Sequence, residues 1–127
     1  MNTGRNLLII EDIAQLQVLA KRILAPIGYD EITIVDNSEQ AISRIFEATV
    51  TTDIYSDFQI HGRNNGLEIA HITAKARAAI GGRFVLCSSG RTTEEIAKIE
   101  AAIQTGFIHR FIIKPFNVAA LKAAFTQ

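Results

Sequence analysis

Glu11-Asp12, Asp57, Ser88-Ser89 and Lys114 each follow directly on a short apolar run: Ile9-Ile10, Ile54-Tyr55-Ser56, Phe84-Val85-Leu86-Cys87 and Phe111-Ile112-Ile113. If these runs are parallel strands of one sheet, their carboxyl ends lie side by side. Three acids, a hydroxyl and an ammonium then converge on one edge, where open α/β sheets hold their ligands. In outline this is a site for phosphoryl transfer, a reaction governed by charge neutralisation and positioning. Taken singly, each residue has a plainer reading: Asp12 can cap a helix, Asp57 can sit in a turn, and Ser88 and Ser89 can cap the helix that follows. Taken together they argue for a function, because clustered acids without one repel and destabilise a fold.

The intervening segments have the pattern needed to bring those runs together. Leu7-Leu8-Ile9-Ile10 is apolar on successive residues, as in a strand buried on both faces. Asp12-Ile13-Ala14-Gln15 has the spacing of a capping box before an apolar stripe of Leu16, Leu19, Ile23 and Leu24, which stops at Pro26 and Gly28. Ile32 to Val35 forms a second strand. Asn37 then caps a helix carrying Ile42, Ile45 and Phe46. Thr51 to Ser56 is a third strand, interrupted by Asp53 and Ser56. After a polar loop, Asn65-Gly66-Leu67-Glu68 starts one helix bearing Ile69, Ile72, Ala76 and Ile80, closed by Gly81-Gly82. Arg83 to Cys87 is a fourth strand, followed by the capping box Thr92-Thr93-Glu94-Glu95 and a helix with Ile96, Ile99 and Ile103 that ends at Gly106. A fifth strand near Arg110 to Ile113 stops at Pro115, and Asn117 caps a last helix with Val118, Leu121 and Phe125. Strands alternating with helices imply an α/β fold, a parallel sheet with right-handed crossovers and helices on both faces.

These segments, in order, resemble the receiver domain of two-component response regulators. The resemblance rests on Leu8-Ile9-Ile10-Glu11-Asp12, Ser56-Asp57-Phe58-Gln59, Gly66-Leu67-Glu68-Ile69-Ala70, Ser89-Gly90 and Phe111-Ile112-Ile113-Lys114-Pro115-Phe116, and it spans essentially the whole chain. It implies a doubly wound, flavodoxin-like, five-stranded parallel sheet in the order 2-1-3-4-5. It further implies that Asp57 accepts a phosphoryl group from a histidine kinase or phosphotransfer protein. Mg²⁺ would be held by Glu11, Asp12, Asp57 and the backbone carbonyl of Gln59, with several waters retained. Lys114 would pair with Asp57 and then with the phosphoryl group. Ser89, with Ser88 as the alternative, would supply the hydroxyl, coupled to the switch residue Phe111. Lys114-Pro115 would be a cis peptide. The output would be a downstream protein or a domain outside this chain, reached through the helix after strand four and strand five. The chain departs from the family pattern after Asp57, where His61 replaces the usual proline, Asn65-Gly66 replaces Asp-Gly, and the loop is one residue longer.

The 127 residues, 48% hydrophobic and 20% charged, suit one domain over 1–127. Thirteen basic and 13 acidic residues cancel, leaving no electrostatic footprint for nucleic acid or an anionic membrane. The single Cys87, inside an apolar run, points to a reducing, cytoplasmic setting. No apolar stretch approaches the length of a membrane span. His61, His71 and His109 have no metal-ligand spacing, and Arg83, Arg91 and Arg110 are expected to be solvated, with Arg91 near enough to Ser89 to influence water access at Asp57. A homodimer through Ile99, Ile103 or Phe107 and core burial of the same residues fit the spacing equally. Two other function classes compete. One is a receiver-like interaction module that works without phosphorylation. The other is a small Mg²⁺-dependent phosphohydrolase, which lacks an evident second acid because Gln59 stands two residues after Asp57. On the leading reading the protein is no enzyme beyond its own phosphorylation and dephosphorylation.

Overall fold

The computed structural model describes residues 3–115 and 117–126; Phe116, the last residue of the Lys114-Pro115-Phe116 motif, lies outside them. Five strands, β1 (Arg5–Ile10), β2 (Glu31–Val35), β3 (Thr51–Asp57), β4 (Phe84–Ser88) and β5 (Arg110–Ile113), form one sheet in the order β2-β1-β3-β4-β5. Every pairing is parallel. The helices are α1 (Ala14–Leu24), α2 (Ser38–Glu47), α3 (Gly66–Ile72), α4 (Ala74–Ile80), α5 (Thr93–Gln104) and α6 (Val118–Thr126).

Two apolar cores sit on opposite faces of the sheet, as alternation along each strand requires. Leu8, Ile10, Ile54, Phe84 and Leu86 face one core with Ile45, Ile69 and Ile99. Leu7, Ile9, Tyr55, Val85 and Cys87 face the other with Ile23, Leu24, Leu121 and Phe125. The central strands are buried on both faces, which explains their unbroken apolar sequences. β3 is the least regular strand in sequence, yet it is buried from Thr52 to Asp57. Asp53 is accommodated there by the Arg5 guanidinium at 2.9 Å, the Tyr29 hydroxyl at 2.7 Å and the Arg83 backbone N–H at 2.8 Å.

Caps fix most helix starts. Asn37 accepts from the Gln40 N–H, and complete capping boxes join Asn65 to Glu68 and Thr92 to Glu95. The Asn117 side chain likewise accepts from the Ala120 N–H at 3.1 Å. The expected Asp12 cap does not form: Ile13 occupies the N-cap without a side-chain hydrogen bond. The Asp12 carboxylate is engaged instead by His61, at 3.1 Å.

The expected single helix from Asn65 to Ile80 is interrupted at Thr73, where ψ is 2°. The Thr73 hydroxyl turns back onto the Ile69 carbonyl at 2.7 Å and accepts from Arg77 Nε at 3.0 Å. Such back-bonding by a β-branched hydroxyl competes with regular helix geometry. The buried Arg77 completes its bonding with the Ala70 and Phe107 carbonyls, both at 2.7 Å, and lies over the Phe84 ring.

Several expected core positions face outward, among them Phe46, Ile72 and Val118. Of the three residues considered for a dimer face, Ile99 is core, Phe107 packs against the core and Ile103 is exposed. No helix among the described residues is long and apolar enough to cross a membrane.

Candidate functional site

The strand order reverses between β1 and β3, and the carboxyl ends of those strands carry Glu11-Asp12 and Asp57. Parallel pairing of Ile10 with Ser56 puts Glu11 abreast of Asp57. Both therefore project to the same face of the sheet. Pairing of Asp57 with Cys87 and of Cys87 with Ile112 carries the same face across to Lys114, two residues beyond Ile112. The Lys114 ammonium lies 3.2 Å from Glu11 Oε1 and 3.4 Å from Asp57 Oδ1. Lys114 also ties its backbone to β4, its N–H donating to the Ser88 carbonyl at 2.9 Å. The Lys114-Pro115 peptide is cis.

Glu11 is fully buried. Its Oε2 accepts from the Ile13 N–H at 3.3 Å, and its Oε1 faces the Tyr55 hydroxyl at 3.5 Å. Burial, reinforced by the Asp57 charge, raises its pKa above 4.5 despite the opposing pull of Lys114. Asp57 Oδ1 accepts from the Phe58 N–H at 2.8 Å.

Carboxylate oxygens of Glu11, Asp12 and Asp57 lie within 4.8 Å of one another. This set fits a hard divalent cation: all three side chains offer oxygen, two or three carboxylates suffice for Mg²⁺ with retained waters, and a cation would relieve the repulsion from Asp57 that adds to burial in raising the Glu11 pKa. Gln59, whose carbonyl was the fourth expected donor, lies exposed in the loop two residues past Asp57.

The two serines are differently situated. Ser88 is the last residue of β4 and is buried, its hydroxyl donating to the Ser89 carbonyl at 2.7 Å, whereas Ser89 is exposed beyond the strand. Phe111 pairs with Leu86 in register, so Ser88, two residues on, shares the Phe111 face. Phe111 itself is half-buried against the core that Leu86 helps to form.

Two neighbours of the site escape the sequence pattern. Arg91, expected in solvent, is largely covered: its guanidinium lies 4.6 Å from the Phe58 ring centroid, donates from Nε to the Ser89 and Gly90 carbonyls at 3.2 and 3.0 Å, and pairs with Glu95 at 3.5 Å. It thus ties the loop after β4 to the residue that holds the Asp57 carboxylate. His61 reaches Asp12 across the loop after β3, a contact between residues 49 positions apart that no local spacing could reveal.

A five-stranded sheet in this order, with acids at the β1–β3 switch point, defines the flavodoxin-like receiver fold. No family model and no curated protein matches the chain. Among solved structures, a receiver domain protein from Methanospirillum hungatei superposes with a TM-score of 0.79 at 18% identity, covering 98% of this chain and 92% of that one. An adenylate cyclase structure from Rhodopirellula baltica gives 0.77 at 21%, covering 99% and 86%. A response regulator from Burkholderia pseudomallei, described with a phosphorylated aspartic acid, a calcium ion and citrate, gives 0.74 at 21%, covering 95% and 66%. At these identities the likeness is one of fold, and the fold is that of response-regulator receiver domains.

Proposed function

We propose that this chain is a phosphoacceptor receiver that takes a phosphoryl group on Asp57 from a histidine kinase or phosphotransfer protein and passes the signal on by a change of conformation. The observation that carries the reading is the Asp57 carboxylate set between the Glu11-Asp12 acids and the Lys114 ammonium at the switch point of a receiver fold. In the transfer, an Asp57 carboxylate oxygen forms the new P–O bond while the P–N bond of a phosphohistidine breaks, and the departing imidazole nitrogen takes a proton. A carboxylate is a weak nucleophile, so the reaction depends on neutralising the incoming phosphoryl oxygens. Lys114, already beside Asp57, is suited to pair with one of them. Mg²⁺ held by Glu11, Asp12, Asp57 and the Gln59 carbonyl would supply the remaining positive charge. The calcium ion and phosphorylated aspartate described for the Burkholderia pseudomallei regulator support the same reading.

The hydroxyl partner is better assigned to Ser88 than to Ser89, because Ser88 shares its face with Phe111 and can couple the site to β5. A population shift across the surface of α5 and β5 would then present the output to a protein or domain outside this chain. The single cysteine, Cys87, is free and buried, which suits a reducing, cytoplasmic setting. The chain would act as a signalling partner, catalysing no more than its own phosphorylation and dephosphorylation.

Beryllofluoride with Mg²⁺, a stable mimic of an aspartyl phosphate, tests the switch. Amide resonances of Ser88, Phe111 and α5 are expected to shift in wild type and to stay fixed in Asp57→Ala. Shifts confined to the acid cluster would instead favour an interaction module that works without phosphorylation.

A further inference from the structure

At the amino end of the sheet, opposite the acids, a cleft of about 500 Å³ opens between α4 and the segments that lead into β4 and β5. That is the size of a small-molecule site, roughly 300–1,000 Å³. Lys75, Arg77 and His109 line it, and among the described residues no Asp or Glu does. Arg77 is 6% exposed, and its guanidinium meets neutral oxygens alone: Nε donates to the Thr73 hydroxyl, and Nη2 donates to the Ala70 and Phe107 carbonyls. Burial pulls its pKa down to about 10, with no carboxylate acting against it. The other terminal nitrogen, Nη1, donates to nothing. Every fully buried side-chain nitrogen among the described residues has a partner, so Nη1 reaches the surface. Lys75 is exposed, and its ammonium has no partner among the described residues. At His109 the Phe84 N–H donates to Nδ1 at 2.9 Å, so the ring proton sits on Nε2, which has no acceptor there. Asp53, the acid whose charge is felt at His109, is already paired with Arg5 at 2.9 Å.

We propose that this cleft is a second ligand site, which binds the phosphate of a small phosphate ester through Arg77 Nη1, the Lys75 ammonium and the His109 Nε2–H. Buried charges are normally paired, whereas the Arg77 guanidinium is held by dipoles only, so an anion in the cleft supplies the counter-charge it lacks. Three unengaged donors on three side chains match the three terminal oxygens of a phosphate ester better than the two of a carboxylate, and two of the donors are cations, as charge-assisted bonds to a dianion require. Ala74, Ala78 and Phe107 give the same cleft an apolar wall for the organic part of the ester. Because the cleft lies at the amino ends of β4 and β5, this site is separate from the phosphoacceptor edge.

Titration of the ¹⁵N-labelled full chain with phenyl phosphate, followed by amide resonances at fixed pH and ionic strength without Mg²⁺, tests the assignment. Saturable shifts are expected at Lys75, Arg77, Gly106 and Phe107. Lys75→Ala should weaken the binding about 10-fold, the worth of one charge-assisted bond. Ala78→Glu, which sets a carboxylate in the cleft from an exposed helix position, should abolish it while the rest of the spectrum stays in place. Shifts that never saturate, or that are the same in both variants, overturn the proposal, as do shifts confined to the edge that carries Asp57 and Lys114. Benzoate that binds as tightly as phenyl phosphate overturns the assignment of a phosphate ester.

Discussion

Among single residues, Glu11 has the most demanding position, a carboxyl with no exposed surface beside a second acid. Its folded pKa lies above 4.5, so the folded chain holds this proton more tightly than the unfolded chain does. Its contribution to stability is therefore most favourable at low pH and is lost as pH rises from about 4.5 through the folded value. Glu11→Gln should make the metal-free protein more stable near neutral pH by about 1 kcal/mol, because a buried charge that Lys114 only partly offsets is removed. Urea unfolding of both proteins across pH checks this: the gap should widen as pH rises and close in acid, and a gap independent of pH would contradict it. Glu11, Asp57 and Lys114 were legible in the sequence because each stands at the carboxyl end of an apolar run. Arg91 and His61 were not, since their partners are reached through loops whose course is set by tertiary contacts, and the different burial of Ser88 and Ser89 depends on where β4 ends.

The elements deliver those residues through close backbone approaches. Gly66 opens α3 with its N–H on the Phe58 carbonyl at 2.7 Å, and a Cβ at this position would overlap the Asp57 carbonyl and press on Leu86. Only glycine allows α3 to start so near the carboxyl end of β3. Gly66→Ala is expected to cost about 2 kcal/mol through overpacking and to slow modification of Asp57, measured as urea stability and as the rate of adduct formation with acetyl phosphate. A variant with wild-type stability and rate would show that the approach is not needed. Helix starts at Asn37, Asn65, Thr92 and Asn117 were readable because a cap is local chemistry. The start of α1 was misread because the N-cap falls at Ile13 and Asp12 lies against His61 of a distant loop, and the break at Thr73 was missed because it depends on Arg77 reaching Phe107, 30 residues away.

For the molecule as a whole, strand order and parallel register are what bring residues 11, 57, 88 and 114 to one edge; the parallel sheet followed from alternating strands and helices, whereas the order was implied only by the resemblance to receiver domains. The same architecture leaves the acids as a cluster whose repulsion is only partly offset by Lys114, a cost that makes sense if a cation and a phosphoryl group complete the site. The most direct test of that claim is the intact mass of the protein after incubation with acetyl phosphate, with Mg²⁺ or with a chelator, in wild type and Asp57→Ala. One phosphoryl adduct that requires Mg²⁺ and is absent from Asp57→Ala is the predicted result. An unmodified wild type under conditions that fully modify a known receiver, or an adduct that persists in Asp57→Ala, would contradict the assignment of Asp57 as phosphoacceptor.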